Sequence, residues 1–344
     1  MNQKFYLLFF TGALLLNFGC KKPPTLKEAD KSFDRMQYSN AASMYDEVYG
    51  GEIPKDKKAE VAFKTAEGHM AYNNYKDAEK WFKKAIKDKY GPLAQKRLAD
   101  CLKNQEKYTE AIIEYNNYLK DNPNDEEALK GKEGCELALK WKGERSRYEV
   151  SNMKKLNTSA NEYSAVYLKK EAIIFTTDRE GGFGKDQYLW TGESFTDLWI
   201  SEAKTKRGET NYGSPEPLIG LVNTKFNDGV ATIDGKGSVM YYTQCNGEKG
   251  KEANCKLMMS IRKGKGPWEE VQVLSFNDTL YNFGQPTLSE DGERLYFTSD
   301  MPGGQGKKDI WVVNYVKRGK TWGQPINLGP TINTDGNDMY PYAA

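Results

Sequence analysis

The sequence predicts an α + β multidomain chain, in which a helical-repeat domain precedes an all-β repeat region. Residues 25–145 are rich in Ala, Lys and Glu, with apolar residues at helical spacing. From about Ser146 onward, paired glycines, Asp-Gly turns and short β-branched or aromatic runs indicate strands. An apolar N-terminal stretch that ends at Cys20 precedes both regions.

The first twenty residues, "MNQKFYLLFFTGALLLNFGC", have the layout of a secretory signal. A buried N-terminal helix is the alternative, but the stretch leads into "KKPPTLKEAD", which does not continue it. The Gly19-Cys20 junction resembles a bacterial lipobox, in which the cysteine is acylated and becomes the mature N-terminus. We therefore expect a signal peptide over 1–19 and lipid attachment at Cys20. Several acyl chains on this cysteine would hold the protein firmly on a membrane.

One phrase recurs in the helical region, which we place at 20–145. An aromatic residue is followed three positions later by alanine and four positions after that by a second ring. The three copies are Tyr38, Ala41, Tyr45; Tyr75, Ala78, Phe82; and Tyr108, Ala111, Tyr115. A period of roughly 34 residues with these offsets resembles the tetratricopeptide repeat (TPR), although an unrelated helical bundle is an alternative. The resemblance implies a solenoid of helical hairpins that offers a concave groove to a protein.

The β region, placed at 146–344, repeats with a period of about 55 residues, the length of a four-stranded propeller blade. An asparagine opens each unit, and after each of the first three a turn, a strand, a bend and a second strand follow. The opening residues are Asn161, Asn227, Asn282 and Asn337. We therefore expect an incomplete β-propeller of three blades and the start of a fourth.

The second strand of two units carries the same triplet. Asp197-Leu-Trp199 and Asp309-Ile-Trp311 look like the D-x-W signature of WD40-like bacterial repeats, as in the TolB propeller. The middle unit has Lys256-Leu-Met258 instead, so its assignment depends on spacing alone. Because propellers close with about four to eight blades, we expect the sequence to be a fragment whose last aromatic residues lack a covering sheet.

The sequence favours no catalytic or cofactor site. A net charge of +2 argues against nucleic-acid binding, G-x-S-x-G is absent, and one histidine without C-x-x-C argues against a metal centre. The Gly-rich stretches "REGGFG" and "MPGGQG" are interpreted as bends that need positive φ. In an exported protein, Cys245 and Cys255 are predicted to form a disulfide between neighbouring strands, whereas Cys101 and Cys135 are expected to stay unbonded.

The order of lipobox, TPR-like repeats and WD40-like blades resembles the outer-membrane lipoproteins of the OmpA/PorE-like group in Bacteroidota. That resemblance implies a non-enzymatic scaffold on the periplasmic side of the outer membrane, with protein partners in the envelope and, in some members, a link to type IX secretion or gliding. Peptidoglycan would be a partner only through an OmpA-like domain that this sequence lacks. A propeller-containing periplasmic hydrolase or lyase with a missing active part, a sensor and a carbohydrate-binding module are the alternatives.

Overall fold

A computed structural model describes residues 22–144, 146–207, 209–246 and 254–343. The expected signal peptide and Cys20 lie outside these ranges. The chain has an α + β architecture, and it divides into two compact units. The helical unit contains Asn40–Glu136 and the residues up to Asp34, and the β unit contains Arg35–Ser39 and Leu137–Ala344.

The described part of the helical region forms three hairpins and a further helix. The helices are α1 (Leu26–Asp34), α2 (Tyr38–Gly50), α3 (Lys55–Ala71), α4 (Tyr75–Lys87), α5 (Pro92–Asn104), α6 (Tyr108–Leu119) and α7 (Glu126–Lys142).

Local chemistry fixes several of the helix starts. Thr25 and Glu28 form a reciprocal capping box at α1, in which Thr25 N donates to Glu28 Oε2 (2.7 Å) and Glu28 N donates to Thr25 Oγ1 (3.3 Å). The carboxylate of Asp125 accepts the N–H of Ala128 (2.9 Å) at the start of α7. The sequence "DNPNDEE" is therefore a turn with a capping acid, as its composition predicts.

The described part of the β unit contains three antiparallel sheets built as meanders. The first sheet has the order β1 (Glu162–Leu168), β2 (Ala172–Thr177), β3 (Asp197–Lys206) and β4 (Glu209–Tyr212), with β5 (Glu216–Pro217) also paired to β3. The second has β6 (Asn227–Ile233), β7 (Val239–Asn246), β8 (Asn254–Ile261) and β9 (Glu269–Val273). The third has β10 (Phe283–Leu288), β11 (Arg294–Ser299), β12 (Asp309–Val316) and β13 (Thr321–Trp322), with β14 (Ile326–Asn327) also paired to β12.

The first strands of the sheets lie side by side, since β6 contacts both β1 and β10. Each of these strands has a bulge at one non-glycine residue with positive φ: Ser164 (50°), Val230 (48°) and Gln285 (55°). The bulged N–H reaches the preceding sheet: Val230 N donates to Thr176 Oγ1, and Gln285 N donates to Thr243 Oγ1, both at 2.8 Å. The bulge therefore joins each sheet to the sheet before it.

Apolar cores fill the spaces between neighbouring sheets. Leu198 and Ile174 of the first sheet pack with Tyr242 and Trp268 of the second. Tyr241 of the second sheet packs in turn with residues of the third, among them Phe297, Trp311 and Trp322. Successive sheets therefore share their apolar faces, as blades in a propeller do.

The last described residues lie along the third sheet. Asp338 N donates to Lys308 O (2.7 Å), and Tyr340, whose φ is 56° like the other bulge residues, donates its N–H to Gln285 Oε1 (3.1 Å). Met339, Tyr340 and Tyr342 are 36%, 54% and 88% exposed, so their side chains are largely uncovered. This segment repeats the opening of a sheet, in the register that the asparagine spacing predicts.

Candidate functional site

The recurring small and aromatic residues lie in the cores of the helical hairpins. Each second helix completely buries its alanine and the ring four residues later. These residues are Ala41 and Tyr45, Ala78 and Phe82, and Ala111 and Tyr115. The leading rings Tyr38, Tyr75 and Tyr108 are half-buried. A methyl side chain allows close approach of two helices, so these residues form the structure of the repeat and leave the surface to other side chains.

A row of charged residues connects the first helices of successive hairpins. Asp30 of α1 accepts from Lys64 Nζ of α3 (2.8 Å). Glu67 of α3 accepts from Arg97 Nε (2.7 Å) and Nη2 (2.8 Å) of α5, a bidentate pair. The row ends at Asp100, whose carboxylate lies 3.4 Å from Arg97 Nη1. We call these five residues the rung surface.

Buried tyrosines hold the two ends of the rung surface. Tyr45 donates its hydroxyl to Asp30 (2.6 Å), and Tyr115 donates its hydroxyl to Asp100 (2.5 Å). Burial, and then the bond to each carboxylate, raises the pKa of both tyrosines, which keeps them protonated donors. The middle hairpin has Phe82, which has no hydroxyl, at this position. Glu67 of that hairpin pairs with the guanidinium of Arg97 instead.

The rung surface is ordered and accessible at the same time. Its side chains are between 20% exposed (Asp100) and 37% exposed (Asp30). The hydrogen bond to Glu67, which outweighs burial, raises the pKa of Arg97, so its charge is permanent. With three carboxylates against two cations, the surface suits a partner segment that brings positive charge.

In the β unit, the D-x-W triplets organise the Gly-rich bends. Gly181 (φ 96°) and Gly303 (φ 94°) have the positive φ that the sequence predicts for these bends. The rings of Trp199 and Trp311 lie under these glycines, within 3.8 Å of where a side chain would begin.

The two aspartates of these triplets have different surroundings. Asp309 accepts N–H groups of Gln305 and Gly306 (the latter at 3.2 Å) and the Asn327 amide (2.9 Å). Asp197 accepts only the N–H of Phe183 (2.7 Å) in the described structure, and its Oδ1 is buried without a partner.

A proline explains part of this difference. Pro217 pairs with Trp199 as Asn327 pairs with Trp311, and proline has no side-chain amide to donate. Burial raises the pKa of Asp197 to about 6.

Three asparagines that the sequence did not single out bond to a strand through their side-chain amides, as the backbone of a neighbouring strand would. Their side chains accept the N–H and donate to the carbonyl of one residue in the third strand of a sheet. Asn223 bonds Leu198 this way (2.8 and 2.9 Å), Asn277 bonds Leu257 (2.8 and 3.2 Å), and Asn333 bonds Ile310 (2.8 and 3.0 Å). The sequence signal is the recurrence "NTKFND" and "NTDGND".

The unit-opening asparagines link each sheet to its neighbours. Asn227 Oδ1 accepts Thr196 N (3.0 Å) from the first sheet, and Asn282 Oδ1 accepts Cys255 N (3.1 Å) from the second. We call these contacts the first–second joint and the second–third joint. Within its own sheet, Asn282 donates its N–H and its side-chain amide to Asp300 (both 2.7 Å).

The structure joins Cys245 and Cys255 in a disulfide, and Cys101 and Cys135 are free and buried. Burial raises the pKa of the Cys101 thiol to about 11, so this thiol is unreactive at neutral pH. His69 is half-buried at the end of α3, where Nδ1 lies 2.6 Å from the Tyr72 hydroxyl.

The described ranges contain no group of three or more His, Cys, Asp or Glu side chains that could hold a metal ion. Within those same ranges, no helix has the length and apolarity needed to cross a bilayer. A cavity of about 320 Å³ lies between the third sheet and the last residues, lined in part by Tyr296, Ile310, Leu328 and Tyr342.

Comparison with known proteins gives matches to solved structures only. No protein-family model matches the chain, and no curated protein matches it. The chain is similar to the first TPR of Spaghetti (RPAP3), bound in that structure to an HSP90 peptide, with 19% identity, 33% of this chain and 88% of that chain covered, and a TM-score of 0.30.

Two further solved structures match about a third of the chain. The second TPR domain of human RPAP3, in complex with an HSP70 peptide, has 18% identity, with 32% of this chain and 90% of that chain covered and a TM-score of 0.30. The Sgt2 TPR domain from Aspergillus fumigatus has 18% identity, with 38% and 91% covered and a TM-score of 0.31. Likeness at this level describes the helical part of the chain and does not bear on its partners.

Proposed function

We propose that the chain is a non-enzymatic scaffold of the cell envelope, which binds a protein segment on its helical repeats. The rung surface carries this proposal. It connects the first helices of three successive hairpins, it is partly exposed, and its charges are fixed by bonds that are already made. A surface of this kind needs little ordering when a partner binds, which lowers the entropic cost of association.

The side chains that recur in the β unit also favour a scaffold. Its repeated Asn, Asp and Thr residues bond to backbone groups of their own or the neighbouring sheet. Polar groups used in this way are structural, and they give the unit a rigid frame. In this proposal the frame is a WD40-like propeller that offers a second docking face.

The partner site is tested by photo-crosslinking in cells. A photoreactive residue at Lys64, on the rung surface, is compared with one at Lys87, at the end of the second helix α4. We expect a defined protein adduct from the first position and none from the second. Glu67→Lys, which replaces one of the three carboxylates by a cation, should remove that adduct while the helical content stays the same. Equal adducts at both positions would contradict the proposal.

We further propose that Cys20 is the acylated N-terminus of a lipoprotein on the periplasmic side of the outer membrane. The support is the apolar stretch that ends at Gly19-Cys20 and the basic, proline-containing sequence after it. Mass spectrometry should find a lipid-modified Cys20, and Cys20→Ala should release the protein into the soluble fraction. An unmodified N-terminus at another residue would refute the anchor. A link to type IX secretion or gliding belongs to the same proposal, and deletion of the gene should then impair one of them.

A further inference from the structure

The disulfide of the second sheet occupies positions that other residue types fill in the first and third sheets. In the strand register, Asn227 lies opposite Cys245, and Cys245 lies opposite Cys255. The equivalent of Cys245 is Asp178 in the first sheet and Asp300 in the third. Each aspartate directly follows the second strand of its sheet, and the register places it opposite the opening asparagine. The register of the next pair of strands makes Thr196 the equivalent of Cys255.

The aspartate at this position has a definite role. Asp178 accepts the N–H of Asn161 (2.8 Å) and its side-chain amide (2.6 Å), and Asp300 does the same for Asn282. Each carboxylate thereby fixes the asparagine that opens its sheet. In the second sheet a disulfide sulfur replaces the carboxylate, so a covalent link between strands takes the place of the two hydrogen bonds.

One cysteine of the disulfide also belongs to the second–third joint. The backbone N–H of Cys255 is the donor to Asn282 Oδ1 in the second–third joint. In the first–second joint, the equivalent donor is Thr196 N, and its acceptor Asn227 lies opposite Cys245. One bond therefore fixes β7 to β8, positions the donor of the second–third joint and lies beside the acceptor of the first–second joint.

We propose that the Cys245–Cys255 disulfide is a redox-controlled latch of the second–third joint. Both cysteines are half-buried, so a small reductant can reach the bonded pair. The reductant is a dithiol. Its thiolate attacks one sulfur and forms a mixed disulfide, and its second thiol then displaces that sulfur. The dithiol becomes a disulfide and gives up two electrons, and each cysteine leaves as a thiol with one proton.

Opening of the latch is measured by amide hydrogen exchange of the whole chain, before and after reduction by a dithiol. We expect exchange to rise roughly tenfold or more at Cys255, whose N–H is the donor of this joint, and at Gln285, whose N–H bonds to Thr243 of the second sheet, because a local opening has its own free energy. Exchange at Asn161 should stay unchanged. This residue is the internal control, since its N–H bonds to Asp178, the residue of the first sheet that is equivalent to Cys245.

Two double variants separate a latch from a general loss of stability. C245S/C255S should exchange like the reduced protein. C245D/C255T places an aspartate and a threonine where the first sheet has Asp178 and Thr196, so it should exchange like the oxidised protein and should not respond to a dithiol. Reduction that leaves exchange at Cys255 and Gln285 unchanged, or that raises exchange equally at Asn161, would overturn the proposal. So would a dithiol response in C245D/C255T.

Discussion

The substitution of aspartate by asparagine should have opposite effects at two equivalent positions, Asp197 and Asp309. Both residues are 1% exposed. Asp309 accepts three N–H groups, whereas Asp197 accepts one and keeps Oδ1 unpaired. An amide at 309 would set an N–H against donors that now point at a carboxylate. An amide at 197 would remove a buried charge that has little compensation.

The magnitude at Asp197 follows from its pKa. Burial raises that pKa from 3.8 to about 6, and a difference of this size corresponds to roughly 3 kcal/mol as an upper bound. Because the pKa is higher in the folded state, the contribution to stability is full below about pH 4 and is lost as pH rises to about 6. Asp197→Asn should therefore remove this slope and be about 1–2 kcal/mol more stable at pH 7.5. Asp309→Asn should lose about 1–3 kcal/mol at pH 7.5.

Differential scanning calorimetry at pH 4.5 and pH 7.5 measures both variants. The wild-type β unit should melt at a higher temperature at the lower pH, and Asp197→Asn should narrow that difference. Some slope should remain up to about pH 7, because burial also raises the pKa of Asp228 to about 7. A wild-type β unit that is more stable at pH 7.5 than at pH 4.5 would refute the reasoning. So would a loss of stability in Asp197→Asn equal to that in Asp309→Asn.

Two glycine pairs give further tests by the same calorimetry. Gly220 has a φ of 134° and lies against the backbone of Trp268, so Gly220→Ala should cost about 3–5 kcal/mol of unfolding free energy. Gly235 has open space around it, so Gly235→Ala should cost less than about 1 kcal/mol. In α7, a methyl at Gly131 would lie 2.5 Å from a buried tyrosine hydroxyl, so Gly131→Ala should cost about 1–3 kcal/mol. Gly134→Ala meets nothing within 4 Å and should gain about 0.5–1 kcal/mol in helix propensity. Equal effects within either pair would contradict the geometry.

The sequence predicted the elements whose signal is periodic. The alanine and aromatic phrase indicated the hairpins because close helix packing needs a small residue at a fixed place, as at Ala111. The positive φ of Gly181 and Gly303 was predicted and is confirmed, because only glycine adopts that conformation without cost.

The rest of the candidate site had no comparable signal. Lys64 and Arg97 belong to a chain with 50 basic and 48 acidic residues, and no spacing distinguished the rung surface from other charged helix faces. Asn223 and Asn333 looked like ordinary turn residues, because asparagine is frequent in turns. Their bonds to Leu198 and Ile310 join residues 25 and 23 positions apart, a distance that no local pattern predicts.

The asparagine bonds have a consequence for where the chain can grow. They fix the strand ends on either side of the Gly-rich bend, and they place no constraint on the length of that bend. The first unit uses this freedom, since 66 residues separate Asn161 from Asn227 and 55 separate Asn227 from Asn282. The extra residues fall in the stretch between Gly184 and Phe195. A tag or a foreign loop inserted there should leave the register intact, which makes this bend a place where new surface can arise without rebuilding the sheet.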